Sequence, residues 1–326
     1  MIITRTPFRI SFVGGGTDLR SFYSEELGKV LSTSIDKYIY VVVKRQIGIV
    51  EYKYRINWSK VEFKNHLNDI EHPIVREALK FMQIDFPVEI TTFSDIPAGT
   101  GLGSSSSFAV GLMHALYALK NQQVTKYQLA KSASHVEIDI LKRTMGKQDH
   151  FAAAYGGLNT IEFKNDESVV IKPLPHSSEV RHKLEKNLLV FYTSIKRNAS
   201  DVLKEQDKKT TINRQALRQM KNLVDPLSDI ISSGKNLSQF GEVLHKNWLA
   251  KQNLTNITSS TKINEYYSRG IKAGAIGGKL LGAGGGGFLL FYVEPAKHLS
   301  VIKALKDLFH LKISFDQDGS RITYYD

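Results

Sequence analysis

Glycine and serine dominate the eleven residues from Pro97 to Ser107, a composition suited to holding an anion. Gly99, Gly101 and Gly103 allow the backbone to turn tightly and to approach a ligand closely. The four serines that follow can cap the first turn of a helix, whose N–H groups and positive dipole end attract negative charge. The residue types and their spacing therefore predict a phosphate-binding loop.

This loop differs from the Walker phosphate-binding loop, which places Gly-Lys-Ser/Thr at the start of the helix. Here Gly103 is followed directly by Ser104, so main-chain N–H groups, serine hydroxyls and a metal ion would have to hold a triphosphate. The same pattern is also typical of a tight turn that closes onto a helix. Matching motifs elsewhere in the chain are needed to decide between the two interpretations.

A second glycine tract at 14–18 reads Gly-Gly-Gly-Thr-Asp and follows a predicted strand at 6–13. The carboxylate of Asp18 can accept hydrogen bonds from two neighbouring sugar hydroxyls. The alternative is a turn in which Asp18 caps a helix that begins near Leu19. The tract therefore predicts either a sugar contact or a capped turn.

A third glycine tract at 277–287 runs directly into a predicted strand at 288–293. Apolar residues anchor both of its ends, which argues against a flexible linker. Asp149 opens a predicted helix rich in small residues, where a carboxylate needs a partner or a chemical role. Together with the first two tracts, these features point to one anionic ligand.

The predicted elements would bring these motifs together in two domains. Alternating β-branched and polar residues predict a strand at 87–96 before the serine loop, and helical spacing of apolar residues predicts a helix at 108–119 after it. A second helix is predicted from Thr125 to Lys142, carrying Glu137. The polar stretch at 173–183 predicts a boundary, giving domains at 1–178 and 179–326.

The amino-acid composition limits the classes of function that the chain can have. The chain of 326 residues has 42% hydrophobic and 23% charged residues, which is typical of soluble globular proteins. The absence of cysteine excludes disulfides and thiolate chemistry. No signal peptide or membrane-spanning run is recognisable, so we expect a cytoplasmic protein without membrane contact. The net charge of +12 is spread along the chain without a nucleic-acid-binding motif, and an anionic small substrate accounts for its sign.

Taken together, the three glycine tracts resemble the three signature motifs of the GHMP kinases, in the same order and over essentially the full length. The resemblance implies an α+β fold of two domains: an N-terminal mixed β/α domain and a C-terminal ferredoxin-like α/β domain. It also implies an ATP-dependent small-molecule kinase that uses Mg²⁺, with a sugar phosphate and ATP as its partners. A homodimer is one assembly that this interpretation allows.

The resemblance also implies roles for individual residues. Asp149 would accept the proton of the attacking sugar hydroxyl, and Arg9 would stabilise charge on the transferred phosphoryl group. Ser105 and Glu137 would coordinate Mg²⁺. The residues implied to wrap the ATP phosphates are Pro97, Gly99, Thr100, Gly101, Leu102, Gly103, Ser104, Ser105, Ser106 and Ser107.

Several motifs resemble those family members that phosphorylate the anomeric hydroxyl of a heptose 7-phosphate, on the route to nucleotide-activated heptose for bacterial surface glycans. The motifs are those at 14–18, 71–78, 146–149 and 279–288. One departure is Gly15, where many sugar-kinase relatives carry an acidic residue; its absence leaves room for a larger or phosphorylated sugar. The implied substrate-binding residues are Gly15, Gly16, Thr17, Asp18, Lys147, Arg197, Gly284 and Gly285.

A phosphate on the sugar would need cations, for which Lys196 and Arg197 are candidates, with Arg76 and Lys147 as further ones. Two other functions are compatible with these motifs: another GHMP sugar 1-kinase, for example one acting on fucose, and a non-catalytic sensor of sugar and nucleotide. The glycine tracts alone would also fit a dinucleotide-dependent dehydrogenase. However, the serine run at 104–107 and the missing acidic residue after a following strand argue against one.

Overall fold

The computed structural model describes residues 1–47, 49–195, 199–254 and 258–326 and contains two β-sheets with helices packed against them. The strands are β1 Ile2–Val13, β2 Gly28–Arg45, β3 Tyr54–Asn57, β4 Val61–Lys64, β5 Val88–Ser94, β6 Leu158–Phe163, β7 Val169–Pro173, β8 Leu188–Tyr192, β9 Gly277–Leu280, β10 Phe288–Tyr292, β11 Phe309–Leu311, β12 Phe315–Asp316 and β13 Arg321–Tyr325.

The α-helices are α1 Arg20–Tyr23, α2 Pro73–Phe81, α3 Ser104–Leu119, α4 Lys126–Ser134, α5 Gln148–Tyr155, α6 Ser178–Asn187, α7 Ala199–Lys208, α8 Thr210–Asn222, α9 Val224–Ser233, α10 Gln239–Gln252, α11 Thr261–Lys272 and α12 His298–Ala304. A π-helix follows α4 at His135–Ile140, and short 3₁₀ turns lie at Leu67–Asp69 and Pro295–Lys297. No helix in the described ranges combines the length and the apolar composition needed to cross a membrane.

The first sheet is built around β2, the longest of its strands. The strands run in the order β13-β1-β2-β5-β3-β4, and all pairs are antiparallel except β3 with β5. The first half of β2 pairs with β6 and its second half with β5. Helix α3 packs across this sheet on a buried apolar surface, and Gly111 allows the approach because a Cβ there would lie 2.8 Å from Thr6 Oγ1.

The second sheet has the order β11-β8-β10-β9 and is antiparallel throughout. Side chains of β10 alternate between two cores, as the period of a strand requires. Phe288, Leu290 and Tyr292 face the core shared with the first sheet. Leu289 and Phe291 face a second core that also contains Trp248 of α10. The second sheet is therefore covered on both faces.

The end of the chain returns to the first sheet. Strand β12 pairs with β2, and β13 pairs with β1. The second predicted domain, at 179–326, includes these residues because they stand at the end of the chain. The proposed boundary at 178/179 falls after the first residue of α6, and the division into two domains at this point stays a prediction.

Candidate active site

The predicted phosphate-binding loop lies between β5 and α3, and its shape depends on glycine. Gly99, Gly101 and Gly103 have φ of +77°, +86° and +80°, in the left-handed region that favours glycine. Gly103 is itself the N-cap of α3 and provides no side-chain cap. The serines therefore line the first turn instead of capping it, and the first N–H groups of α3 remain available to a ligand.

The third glycine tract is in main-chain contact with this loop. A Cβ on Gly282 would lie 2.4 Å from the Cα of Gly101, and a Cβ on Gly287 would lie 2.2 Å from the carbonyl oxygen of Thr100. Residues more bulky than glycine could not pack this closely. The motifs at 97–107 and 277–287, nearly two hundred residues apart, therefore meet at one point.

Asp149 and Arg9 form a two-pronged ion pair beside that point. Arg9 Nε and Nη2 donate to the two carboxylate oxygens of Asp149 at 2.7 Å each, and Nη1 donates to the carbonyl of Gly101 at 2.8 Å. The side chains are only 5% and 17% exposed. Asp149 lies in the first turn of α5, where the helix dipole favours a carboxylate. The pair fixes the plane of the carboxylate against the loop.

Asp18 lines the same space and does not cap α1. Its Oδ1 accepts from the N–H of Gly16 at 3.0 Å, and its Oδ2 accepts from the N–H of Gln148 at 3.3 Å. The N-cap of α1 is Leu19, which lacks a side-chain cap, so the alternative of a helix cap is wrong. Burial, assisted by the charge of Asp149, raises the pKa of Asp18.

Glu137 and Ser105 also meet, in a cluster with two basic side chains. The Ser105 hydroxyl donates to Glu137 Oε1, and Arg143 Nη1 donates to the same oxygen at 2.6 Å and to Ser105 Oγ at 2.9 Å. His150 Nε2 lies 2.9 Å from Glu137 Oε2. Burial would raise the pKa of Glu137, but the hydrogen bond and charge of His150, with those of Ser105 and Arg143, lower it below its usual value.

This donor set is compatible with Mg²⁺. A carboxylate and a hydroxyl oxygen are hard ligands, and Mg²⁺ in kinases is commonly held by one or two protein groups plus phosphate oxygens. No cluster of three acidic, histidine or cysteine side chains that could hold a metal by itself occurs among the residues described. A magnesium ion at Glu137 would have to share or displace Arg143.

The motifs surround one open cleft, which residues of all three glycine tracts line. Buried Ser11 Oγ, Ser106 Oγ and Gln148 Oε1 lack a hydrogen-bond partner in the described protein, and their residues line this cleft. Buried polar atoms of this kind usually have a partner. The predicted site residues that line the cleft are Arg9, Gly15, Gly16, Asp18, Gly99, Gly101, Gly103, Ser104, Ser105, Ser106 and Asp149.

Other predicted site residues lie behind the residues that line the cleft. Thr17 is buried and donates to the carbonyl of Gly14 at 2.8 Å, shaping the turn that presents Asp18. Ser107 Oγ donates to the carbonyl of Pro7. Glu137 lies behind Ser105, and Gly284 and Gly285 contact Thr258. Pro97, Thr100 and Leu102 belong to the loop but do not line the cleft.

Arg76 and Lys147, the two described residues among the cations predicted to hold a sugar phosphate, do not line the cleft. The Lys147 ammonium pairs with Glu167 of the β6–β7 turn. Arg76 of α2 pairs with Glu77 and donates to the carbonyl of Ile70. Lys196 and Arg197 lie outside the described residues. Their roles remain predictions.

Sequence reasoning missed Lys251 of α10, which lines the cleft together with Lys279 of β9. A signal for it was present. Leu244, Trp248 and Lys251 recur at helical spacing on the buried face of α10, so a lysine stands where the pattern requires an apolar residue. An out-of-pattern charge on a buried face is a marker for a functional site.

Comparison with known proteins gives the family. A model of the GHMP kinases N-terminal domain matches residues 73–157. The D-glycero-alpha-D-manno-heptose 7-phosphate kinase of Campylobacter jejuni subsp. jejuni is 32% identical over 317 residues, which cover 94% of this chain and 93% of that protein. A mevalonate kinase of Pyrococcus horikoshii is 30% identical over 227 residues, covering 67% of this chain and 63% of the relative.

Solved structures agree on the fold. A D-glycero-D-manno-heptose 1-phosphate kinase from Bacteriodes thetaiotaomicron has a TM-score of 0.82 at 22% identity and covers 100% of both chains. A putative sugar kinase from Campylobacter jejuni has a TM-score of 0.79 at 27% identity and covers 98% of this chain and 97% of its own. The chain therefore belongs to the GHMP kinase family, and it is a sugar kinase that uses ATP as its phosphate donor.

Proposed function

We propose that this protein transfers the γ-phosphoryl group of ATP to the anomeric hydroxyl of D-glycero-D-manno-heptose 7-phosphate, forming the 1,7-bisphosphate. The Campylobacter relative bears this substrate in its name and aligns with nearly the whole chain. The observation that carries the proposal is the Arg9–Asp149 pair, held at 2.7 Å beside a glycine loop and facing a cleft that also contains Asp18.

In this proposal Asp149 accepts the proton of the anomeric hydroxyl at one carboxylate oxygen. The two contacts from Arg9 fix the orientation of that carboxylate, while each oxygen keeps a lone pair for the hydroxyl. The Arg9 guanidinium also places a fixed positive charge where negative charge builds up on the transferred group. Phosphoryl transfer depends chiefly on such positioning and charge stabilisation.

Asp18 would hold the sugar. Two main-chain N–H groups fix its carboxyl group, and residues on both sides of it line the cleft. With a raised pKa, a protonated Asp18 would also be able to donate a hydrogen bond to a sugar oxygen. Gly15 adds no side chain here: the nearest atom to a Cβ at this position would be 3.7 Å away, so the sugar has room beside it.

Ser105 and Glu137 would hold Mg²⁺ together with phosphate oxygens. When bound, the ion would neutralise phosphate charge. The protein's part is to keep Glu137 ionised inside the fold, which its contacts with His150 and Arg143 achieve.

An ADP-release screen over a panel of sugars tests the proposal. The panel contains heptose 7-phosphate, sedoheptulose 7-phosphate, mannose 6-phosphate, fucose and galactose, each assayed with and without Mg²⁺. We expect the highest kcat/KM for heptose 7-phosphate, only when Mg²⁺ is present, and a product whose new phosphorus signal in NMR couples to the anomeric proton. A higher kcat/KM for another sugar, or phosphate on another carbon, would refute the assignment.

A second candidate follows from the name of the Bacteriodes relative, which places the phosphate of the substrate on carbon 1. Heptose 1-phosphate therefore joins the panel. If it is phosphorylated and heptose 7-phosphate is not, the acceptor hydroxyl is not the anomeric one.

A further inference from the structure

Lys251 is a buried cation in the cleft without an acidic partner among the described residues. It lies in the last turn of α10 and is 6% exposed. Its ammonium donates to the carbonyl of Gly282 and, at 3.4 Å, to that of Leu280. An ammonium group has three donors, so these two carbonyls leave at least one for another partner.

The charges around the cleft do not balance. Arg9 and Asp149 neutralise each other, which leaves two lysines, Lys251 and Lys279, against the single carboxyl group of Asp18. Lys279 is 3% exposed, and its partners among the described residues are the carbonyls of Ser11 and Phe12, to which it donates at 2.8 and 2.7 Å. Buried charges are normally paired, because desolvation of an unpaired ion is costly. Two buried lysines with carbonyl partners alone therefore favour an anion in this space.

The contacts of the two lysines differ in length and in the elements that they join. Both contacts of Lys279 are short, and they join β9 to β1, which is a structural role. Lys251 has one long contact, with the carbonyl of Leu280, and its other carbonyl partner, Gly282, packs against Gly101 of the predicted phosphate-binding loop. Of these two cations, Lys251 is the one with the freedom to turn a donor toward a ligand.

The protonation of Lys251 agrees with this geometry. Burial, together with the charge of Arg9, lowers the pKa of Lys251 to about 7. The other ionisable groups lining the cleft are Arg9, Asp18, Asp149 and Lys279, and burial with the charges of Lys251 and Arg9 lowers the pKa of Lys279 well below its usual value. An anion placed beside the ammonium would raise this pKa again, so that binding above neutral pH would draw a proton onto Lys251.

We propose that Lys251 binds a phosphoryl group of a substrate inside the cleft. The inference rests on the proposed function, in which two phosphates approach the reacting centre: the γ-phosphoryl group of ATP and the phosphate of the acceptor. Both offer the dianionic oxygens that a buried ammonium needs. Arg76 and Lys147, the described candidates from the sequence, are held by Glu77 and Glu167 and do not line the cleft.

Calorimetric titration of four probes distinguishes the two sources. The nucleotide pair is AMP-PNP and ADP, both with Mg²⁺, and the acceptor pair is heptose 7-phosphate and the unphosphorylated heptose. If Lys251 binds the γ-phosphoryl group, we expect Lys251→Met to weaken the binding of AMP-PNP by about tenfold or more and to keep the affinity for ADP within about twofold. If it binds the acceptor phosphate, we expect the same loss for heptose 7-phosphate and an affinity for the unphosphorylated heptose within about twofold of the wild type. Lys251→Arg should recover part of the loss, because it restores the charge.

Lys246→Met is the matched control, since Lys246 lies on the exposed face of the same helix. We expect it to change none of the four affinities. In the wild type at pH 8, titrations in buffers of different ionisation enthalpy should reveal proton uptake when the affected probe binds. The uptake should be absent in Lys251→Met, a result that a merely structural lysine would not produce.

Equal weakening of both members of each pair, or no weakening at all, would overturn the proposal and leave Lys251 as a support for the 277–287 tract. Should Lys251→Met fail to fold, Lys251→Gln can keep contact with the Gly282 carbonyl without the charge, and the same comparison applies. If wild-type protein does not bind heptose 7-phosphate but the nucleotide pair responds as expected, the proposed acceptor is wrong and the role of Lys251 stands.

Discussion

At the scale of single residues, the proposed phosphoryl transfer depends on the Arg9–Asp149 ion pair. Replacing Asp149 by Asn keeps the shape of the side chain but removes the base and half of the contact with Arg9. We expect Asp149→Asn to lower kcat by about two to four orders of magnitude, the usual contribution of a general base. ATP affinity should stay within about twofold, because in the proposed function main-chain groups of the loop, and not Asp149, hold the phosphates.

Steady-state kinetics with a coupled ADP assay check the fall in kcat, and nucleotide titration checks the ATP affinity. Asp229→Asn, on the exposed face of α9, is the control for the chemical change and should behave as wild type. Near-normal turnover in Asp149→Asn would show that positioning alone drives the transfer.

Gly146 tests the placement of Asp18. A Cβ at this position would lie 1.8 Å from Asp18 Oδ2 and 2.2 Å from its Cγ, and the Asp18 carboxyl group is buried and held by two N–H groups. Gly146→Ala must therefore push Asp18 out of place. We expect KM for the sugar to rise by about tenfold or more while KM for ATP stays within about twofold. An unchanged sugar KM would mean that Asp18 does not contact the acceptor.

At the scale of elements, the crossing of two glycine tracts holds the site together. Gly282 has φ of +72° and lies against Gly101, whereas Gly99 has φ of +77° and no atom within 4 Å of the place that a Cβ would take. Gly99→Ala carries only the cost of the left-handed backbone, about 1–2 kcal/mol. Gly282→Ala adds the collision with the loop, so we expect a loss of unfolding free energy of about 2–4 kcal/mol.

Urea unfolding of the two variants measures this difference, and the shared backbone strain cancels in the comparison. Equal losses in Gly99→Ala and Gly282→Ala would mean that the two tracts are free to separate. In that case the third tract would need glycine for its left-handed backbone conformation and not for close packing against the loop.

The elements also show what the sequence could predict. The strand, the glycine turn and the helix that form the predicted phosphate-binding loop were predictable, because their signals are local, within residues 88–119. The α+β fold of two sheets is confirmed. The helix predicted from Thr125 to Lys142 gives way after Ser134 to a π-helix that carries Glu137. Its wider turn was not foreseen because helical spacing of apolar residues does not distinguish α from π.

The remaining parts depended on contacts distant in sequence. Lys251 reaches the cleft only because α10 packs on β9, where Gly241 and Gly277 allow main-chain contact. The return of β12 and β13 to the first sheet is equally non-local, since these short strands pair with residues near the other end of the chain. Local patterns identify such segments as strands but do not name their partners.

At the scale of the whole molecule, the return of the chain end creates a buried contact that acid should weaken. His114 of α3 has Nδ1 3.0 Å from the hydroxyl of Ser320, which lies 2.8 Å from Thr6 Oγ1 of β1. Burial lowers the pKa of His114 to about 4 from 6.5. The pKa of His72, at the N-cap of α2, is lowered to about 4 by burial and by the charge of Arg143. Both imidazoles are therefore neutral in the folded protein near pH 7.

The sign of the effect follows from proton binding. Between pH 6.5 and 4 the unfolded chain binds protons at these histidines that the folded protein does not, so stability falls as the pH is lowered through this window. By pH 5 the loss of unfolding free energy from each histidine approaches about 2 kcal/mol.

We expect His114→Gln, which cannot titrate, to reduce the slope of unfolding free energy against pH between 6.5 and 5. His182→Gln, on the surface of α6, serves as the matched control. Urea unfolding at pH 7, 6 and 5 gives the slopes, and an unchanged slope in His114→Gln would show that the contact with the last strands opens before the imidazole is protonated.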